Sequence, residues 1–449
     1  MALAEGRGRR RARVLAAAVA AVAMAAASGG SIAPSSASPR TAEETRTHAL
    51  DVASCLTRST CDTPRRFRVA YGIEPLVEHG IDGRGQTVVL LELAAPPSKP
   101  PTTTDIRQDL ERFDRMFDLP AARLGVVDSL ARSPDPWGAN LEEVEDTEIV
   151  HAVAPEAAIR EVLVSDAALG SAADQSSDVA AALVLGLRLG SVISLSKSTG
   201  EECFTPGEVA RLHAALHAAA LAKVTVVNSS GDSGAAGKPC PGAQPTSPMV
   251  KAVNLLDSDP LTLAVGGTDL RTDPKTGAYA GETAWSVPTG EPLPEAPVGS
   301  GGGFSRLFRR PAYQDGVPGI GATRGVPDVA ADADADGGMA LVVGDGRSDF
   351  LTGAGGTSAA APLWAAVIAL ADEDAGRHLG FVNPAIYRIG RSAAYHRAFH
   401  DVTTGTNTVR SSSQTVTGYD AGPGWDPVTG WGSPNAAVLV PLLAKGGGR

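Results

Sequence analysis

Ser358 lies in the stretch GAGGTSAAAP, Gly353 to Pro362, where three glycines precede the hydroxyl and an alanine-rich, helix-forming run follows it. That order predicts a serine at a helix N-terminus with little bulk in front of it. Backbone N–H groups and the positive end of the helix dipole favour a developing negative charge there, and the glycines let another segment come close. Pro362 suits the first turn, where a missing N–H costs little. A second stretch, LEEVEDTEIVHAVAP, spans Leu141 to Pro155. Val144, Ile149, Val150 and Val153 can face a core, while Glu142 and Asp146, four residues apart, share one helix face. Two such carboxylates repel, which raises the pKa of one or leaves a proton shared between them. A third stretch, NSSGDSGA from Asn228 to Ala235, puts Asp232 in a turn of glycines and serines. Each alone reads equally as a capped turn or a solvated acidic face. Together they supply a nucleophile and titratable partners for it.

The elements that must position these groups alternate in type. Tyr71 to Leu93 holds a glycine-rich turn and then a continuous apolar run, the pattern of a buried parallel strand, with Glu92 at its end. A Pro- and Thr-rich loop over 95–104 precedes amphipathic helical spacing from Asp105 to Phe117. Ala158 to Val164 reads as a strand, followed by an Ala- and Leu-rich helix to about Leu189 and a strand from Ser191 to Leu195. Pro206 to Leu221 reads as a helix, and Val224 to Val227 as a short buried strand that runs into NSSGDSGA. Such alternation implies an α/β protein with a parallel sheet and helices on both faces. No long linker divides the 449 residues, and the chain shows no repeats, P-loop or dinucleotide fingerprint.

GTS followed by three residues and Pro resembles the nucleophile motif of the subtilisin-like serine peptidases. The HGTH-type and DTG-type segments that supply a subtilisin's His and Asp do not occur. Glu142 and Asp146 ahead of Ala154-Pro155, together with SGDSG, instead resemble the sedolisins, or serine-carboxyl peptidases, over roughly residues 65–445. This resemblance implies a single subtilisin-like domain with a central, mostly parallel sheet flanked by helices. It implies Ser358 as nucleophile, Glu142 as base, Asp146 as the group that orients and tunes Glu142, and a protonated Asp232 lining the oxyanion hole. Glu92 takes the place of a supporting carboxylate. SLSKS, Ser194 to Ser198, stands where sedolisins commonly have Ser-x-Ser-Trp-Gly, with Lys197 and Ser198 replacing the Trp and Gly. AVGGT (Ala264 to Thr268), Gly299 to Phe304 and RGVPDVA (Arg324 to Ala330) resemble segments that shape the sheet and cleft.

The same comparison implies one structural calcium ion. Asp401 and Asp426 would bind by side chain, and Val402, Gly422 and Gly424 by backbone carbonyl, in keeping with calcium's preference for oxygen ligands from flexible loops. A zinc site fits less well, since no Cys-x-x-Cys or His cluster is present. His151 lies five residues after Asp146, well round the helix from it, and reads as a structural or surface histidine; its rival role is the base of a subtilisin-like enzyme. The expected activity is acid-acting endopeptidase cleavage. A tripeptidyl-releasing exopeptidase and a catalytically impaired calcium-binding homologue are the alternatives.

Composition narrows the rest. A net charge of −11 makes nucleic acid and anionic membrane surfaces poor partners, leaving peptides and proteins as substrates of an expected monomer. Arg7, Arg9, Arg10, Arg11 and Arg13 precede an apolar run from Val14 to Ala27, so residues 1–37 read as an export signal and the mature protein as secreted, without stable membrane association. Residues 38–64 read as a short linker or pro-segment, with no room for the large folded prodomain sedolisins usually carry, and 65–449 as the peptidase domain. Four cysteines in an exported chain suggest two disulfides, with Cys55–Cys61 and Cys203–Cys240 the favoured pairing because each brackets one loop region.

Overall fold

The computed structural model describes residues 62–93, 105–130, 140–164, 171–237, 240–241, 249–286, 298–344, 349–410 and 414–446, all within one unit, Asp51–Arg449. In chain order the helices are α1 (Pro64–Ala70), α2 (Glu74–Glu78), α3 (Ile106–Phe117), α4 (Leu141–Val153), α5 (Ala172–Gly186), α6 (Pro206–Leu221), α7 (Leu255–Ser258), α8 (Thr357–Ala375), α9 (Asn383–Gly390), α10 (Tyr395–Ala398) and α11 (Ala436–Gly446). The longer strands are β1 (Thr87–Leu93), β2 (Arg123–Leu130), β3 (Ala158–Val164), β4 (Val192–Leu195), β5 (Thr225–Ser229), β6 (Leu263–Thr272), β7 (Tyr279–Ala284), β8 (Gly303–Arg309), β9 (Thr323–Val326), β10 (Val329–Asp332), β11 (Ala340–Gly344) and β12 (Asp349–Gly353).

Eight strands form the central sheet in the order β10-β6-β5-β4-β1-β3-β2, with β7 added antiparallel on β6. Every pairing along the main path is parallel. The α/β reading of the sequence therefore holds. β1 is an interior strand: Val88, Val89 and Leu90 are fully buried and both its edges are paired, to β3 in the register Leu91↔Val162 and to β4 in the register Leu91↔Leu195. Strand order reverses at β1. In open α/β sheets the crevice outside the carboxyl ends of the strands at such a point is where ligands bind.

Helix α8 runs through the middle of the molecule, packed on α4, α11 and the faces of β4, β5, β6 and β10. Ala360 to Ala371 are all buried along it, which explains an alanine-rich sequence: small side chains let a helix lie close on a sheet. Trp364 fills the widest gap and donates its indole N–H to Ala330 O at 2.8 Å. Pro362 falls in the second turn of α8, not the first, because the helix begins at Thr357. The Ser358 carbonyl thereby loses the amide that would otherwise bond it.

Helix α4 also departs from the amphipathic reading: Glu143 through Val153 are all buried, acids included. Strand β2 and the hairpin β11–β12 carry no strong periodic pattern and were not foreseen. The Cys203–Cys240 disulfide is present. Cys55 and Cys61 lie outside the described residues, as do the export segment and most of the linker.

Candidate active site

The N-terminus of α4 is tied down before any chemistry is placed on it. Asn140 caps the helix by accepting the Glu143 N–H at 3.0 Å, and Glu143 returns the bond to the Asn140 N–H at 3.3 Å, a reciprocal capping box. The Asn140 amide also donates to Leu93 O at 3.1 Å, pinning the helix start to the carboxyl end of β1. Glu142, in the first turn and half-buried, is thus held over the crevice where strand order reverses. The helix dipole favours an anion at that position.

Ser358 meets it from the opposite side. Its Oγ donates to Glu142 Oε1 at 3.1 Å. The preceding residues form the cradle: Gly356 adopts φ +81°, a left-handed value open to glycine, and a Cβ there would stand 2.9 Å from Asp232 Oδ2. Asp232, just past the end of β5, accepts from the Thr357 N–H and the Thr357 hydroxyl, each at 2.8 Å. The Thr357 hydroxyl in turn accepts the Gly231 N–H at 2.9 Å. Ser358 is the second residue of α8, so its own N–H has no intrahelical acceptor. A donor and a carboxyl therefore flank the hydroxyl, in the arrangement that would receive an oxyanion.

Behind Glu142 the site is dry. Asp146 is 0% exposed and Glu92 is 1% exposed. Asp146 Oδ2 accepts the Ser196 hydroxyl at 3.3 Å, and its carboxyl lies against that of Glu92. Asp146 Oδ1 and Glu92 Oε1 meet no N–H or O–H donor among the described residues, so the two carboxyls are partners of each other, a contact that is a hydrogen bond only when one of them carries a proton. Burial first, then the charges of Glu92, Glu142 and Glu145, push Asp146 well above the ordinary carboxylate range. Burial also raises Glu92, but the Lys197 ammonium nearby opposes the rise.

Glu145 is a site residue that the sequence reading missed. Its Oε2 accepts the Gly355 N–H at 2.9 Å, tying the nucleophile loop to α4. Two further carboxylates bind the same hairpin: Glu148 accepts Val342 N–H at 2.9 Å and Asp109 accepts Gly344 N–H at 3.0 Å. One signal was available, since α4 has five acids and no Lys or Arg to balance them. His151 is fully buried, with Nε2 2.9 Å from Asp114 Oδ1 and 3.0 Å from Pro120 O. It serves the packing of α4 on α3 and lies inside, not at the surface.

The five residues expected to hold calcium also come together. Asp401 accepts the Gly424 N–H at 3.1 and 3.2 Å, and Asp426 accepts the Gly422 N–H at 3.1 Å. Thr429 joins the two loops, its hydroxyl lying 3.5 Å from Val402 O and 3.0 Å from Asp426 Oδ2. Carboxylates and a backbone carbonyl are oxygen ligands suited to a hard cation. Asp426 is 5% exposed and has no Lys or Arg acting on it among the described residues, so a cation fits its buried charge. Among the described residues no group of three or more His, Cys, Asp or Glu is arranged for a metal.

The fold and this cluster define the chain as a member of the subtilisin-like α/β class. Pseudomonas sedolisin, a serine-carboxyl proteinase solved with two molecules of pseudo-iodotyrostatin, superposes with a TM-score of 0.70 at 24% identity, over 86% of this chain and 99% of that one. The chain is similar to members of the sedolisin family. It is 32% identical to kumamolisin of Bacillus sp. (strain MN-32) over 86% of its own length and 64% of that protein's. Identity is 35% to sedolisin of Pseudomonas sp. (strain 101), over 42% of this chain and 30% of that protein, and 30% to tripeptidyl-peptidase 1 of Homo sapiens, over 56% and 43%. In each case the chain spans less than two thirds of the relative's length. No family model matches it.

Proposed function

We propose that the protein is a secreted serine-carboxyl endopeptidase that hydrolyses peptide bonds in acid. The observation that carries this reading is the 3.1 Å bond from Ser358 Oγ to Glu142 Oε1, with the buried Asp146 in the same cluster. Ser358 Oγ attacks the scissile carbonyl carbon as Glu142 takes its proton, and the carbonyl oxygen becomes an oxyanion between the Ser358 N–H and Asp232. Collapse breaks the C–N bond, and Glu142 returns the proton to the leaving amine. Glu142 then takes a proton from water, whose oxygen attacks the acyl-serine carbonyl; as the C–Oγ bond breaks Glu142 hands that proton to Ser358 Oγ, releasing the acid product and restoring the serine and the carboxylate. Asp146 orients Glu142 throughout. A carboxyl can donate to the oxyanion only while protonated, which ties Asp232 to acidic media.

Asp401 and Asp426 by side chain, with Val402, Gly422 and Gly424 by backbone, would hold one calcium ion, whose contribution is to neutralise two carboxylates and hold the loops together. The export reading of residues 1–37 and the low affinity of an acidic chain for membranes support a secreted protein. Among the described residues no helix is long and apolar enough to cross a membrane. Digestion of a mixed peptide library from pH 3 to 8 tests the proposal. Internal cleavage on the acid side, lost in Glu142→Gln, is the expected result; release of N-terminal tripeptides alone would replace endopeptidase with exopeptidase, and retained activity in Glu142→Gln would remove Glu142 as base.

A further inference from the structure

Helix α4 reaches the nucleophile loop twice. Glu142 meets the Ser358 hydroxyl at 3.1 Å, and Glu145, one turn further along the same helix face, accepts the Gly355 N–H at 2.9 Å. Because α4 is capped at Asn140 and pinned to β1 through Leu93 O, both contacts are made from one fixed body. Glu145 is 6% exposed, and a carboxyl so far from water has to find its partner inside the protein.

The loop is held amide by amide. Ala354 N–H donates to Met339 O and Gly356 N–H to Ala333 O, each at 2.8 Å, and Thr357 N–H donates to Asp232 Oδ1 at 2.8 Å. Gly355 N–H completes that run, and its acceptor is the Glu145 side chain. Ser358 follows directly. Glu148 and Asp109 make the same kind of bond elsewhere, to Val342 and Gly344 of β11, well before Ser358 in the chain. They fix the hairpin, whereas Glu145 fixes the turn into α8.

Building on the peptidase reading, we propose that Glu145 is a positioning residue: by holding the Gly355 N–H from the helix that carries Glu142, it keeps the Ser358 hydroxyl at hydrogen-bond distance from its base. Glu145 meets loop backbone and not the reacting atoms, so it acts through Ser358. A displacement of Gly355 is passed to the hydroxyl across Gly356, whose φ of +81° permits the turn but which has no side chain to brace it. The bond requires an acceptor and not a charge. A glutamine carbonyl supplies one of the same reach, and a leucine supplies none.

The test compares the full chain with Glu145→Gln, Glu145→Leu and Glu148→Leu, recording kcat and KM for a peptide and, by NMR, the exchange of the Gly355 amide hydrogen. Glu145→Leu should lower kcat by about 100-fold with KM little changed, the loss that a misplacement of about 1 Å brings, and Glu145→Gln should recover most of it. Glu148→Leu, which frees β11 instead, should leave kcat close to that of the unsubstituted protein. The Gly355 amide should be protected in the unsubstituted protein and in Glu145→Gln, and exchange freely in Glu145→Leu. Equal kcat losses in Glu145→Gln and Glu145→Leu, or a loss in Glu148→Leu as large as in Glu145→Leu, would reduce Glu145 to packing and overturn the proposal. So would a Gly355 amide that exchanges freely in the unsubstituted protein, a measurement that needs no folded variant. A protein that cleaves no peptide at any pH would overturn the peptidase reading, while Gly355 exchange would still decide whether Glu145 holds the loop.

Discussion

Helix α4 and the Arg324–Asp328 pair both bury carboxylates completely, and they compensate them by different means. Asp328 is 0% exposed and meets the equally buried Arg324 through two bonds of 2.6 Å, with Tyr387 OH, Asn383 Nδ2 and the Ala264 N–H supplying further donors. Both oxygens are saturated by groups that stay protonated at any ordinary pH. In α4, by contrast, Glu143, Glu145, Asp146 and Glu148 all stand well above the ordinary carboxylate range, with burial the leading cause and other acids adding to it in each. Protons do there what a guanidinium does at Asp328. A proton can move, so the candidate site sits on the helix that uses protons, while the Arg-locked pair fixes the sheet behind it.

The largest expected effect lies at the α4 end of the contrast. Ser358→Ala should lower peptide turnover by about 10^3-fold or more while the melting temperature changes little, because the substitution removes a half-buried hydroxyl and no packing. Undiminished turnover would remove Ser358 as nucleophile. At the other end, Arg324→Met should leave Asp328 buried without its cation and cost about 3–5 kcal/mol in denaturant unfolding. A loss below about 1 kcal/mol would erase the distinction between the two regions.

Stability against pH sharpens the contrast further. Glu143, Glu145, Asp146 and Glu148 on α4 and Glu161 on β3 have folded-state values above their unfolded ones, so the stability they contribute is fully present below about pH 4.5 and is lost as pH rises through the folded values. For Glu161 burial lifts the carboxyl to about 8, which sets the window between about 4.5 and 8. At 1.36 kcal/mol per pH unit that one group corresponds to a loss on the order of 5 kcal/mol across the window. Melting temperature measured at fixed ionic strength and constant calcium should fall as pH is raised; a curve that is flat from pH 4.5 to 8 would mean the α4 cluster is not held by protons.

Much of this architecture is legible in the amino-acid sequence. Continuous apolar runs mark β1 and β3, whose burial on both faces removes the need for alternation, and α6 spans the residues whose pattern marks it as a helix. Ser358, Glu142, Asp146 and Asp232 are legible as types in the right surroundings. The hidden part is what depends on contacts between distant segments. Glu145 looks like any exposed helix acid until the hairpin β11–β12 brings Gly355 against it, 210 residues along the chain. Lys197 is visible as a departure from a familiar pattern, but its place beside the end of β1 becomes evident only once β4 lies along that strand. The second-turn position of Pro362 escapes a sequence reading because glycine and serine spacing does not fix where a helix begins to within a residue or two.

A smaller effect is expected from calcium removal. Chelation should lower stability by about 2–3 kcal/mol, the linkage gained at roughly 100-fold excess of ion over Kd, since Asp401 and Asp426 would then face each other without a cation. An unchanged melting temperature, with no calcium found in the purified protein, would dismiss the ion. Such an ion would be a third means of compensating buried acids beside the two already compared.

The finest test concerns Asp232, the acid of the site that belongs to neither buried region. One of its oxygens accepts from the Thr357 N–H and hydroxyl, and the other stands 2.9 Å from where a Cβ on Gly356 would lie, one residue before Thr357. A carboxyl can stabilise an oxyanion only by donating a proton, so activity should decline on the alkaline side as Asp232 ionises. Asp232→Asn supplies an amide that donates at every pH. The variant should therefore show a weaker alkaline decline in kcat/KM, even where misplacement of the amide lowers the maximum by about 10-fold, a smaller loss than removal of an oxyanion donor brings. If the decline keeps its position and steepness in Asp232→Asn, it must come from the proton-held carboxyls of α4, and the pH response of the enzyme would then belong wholly to the buried cluster.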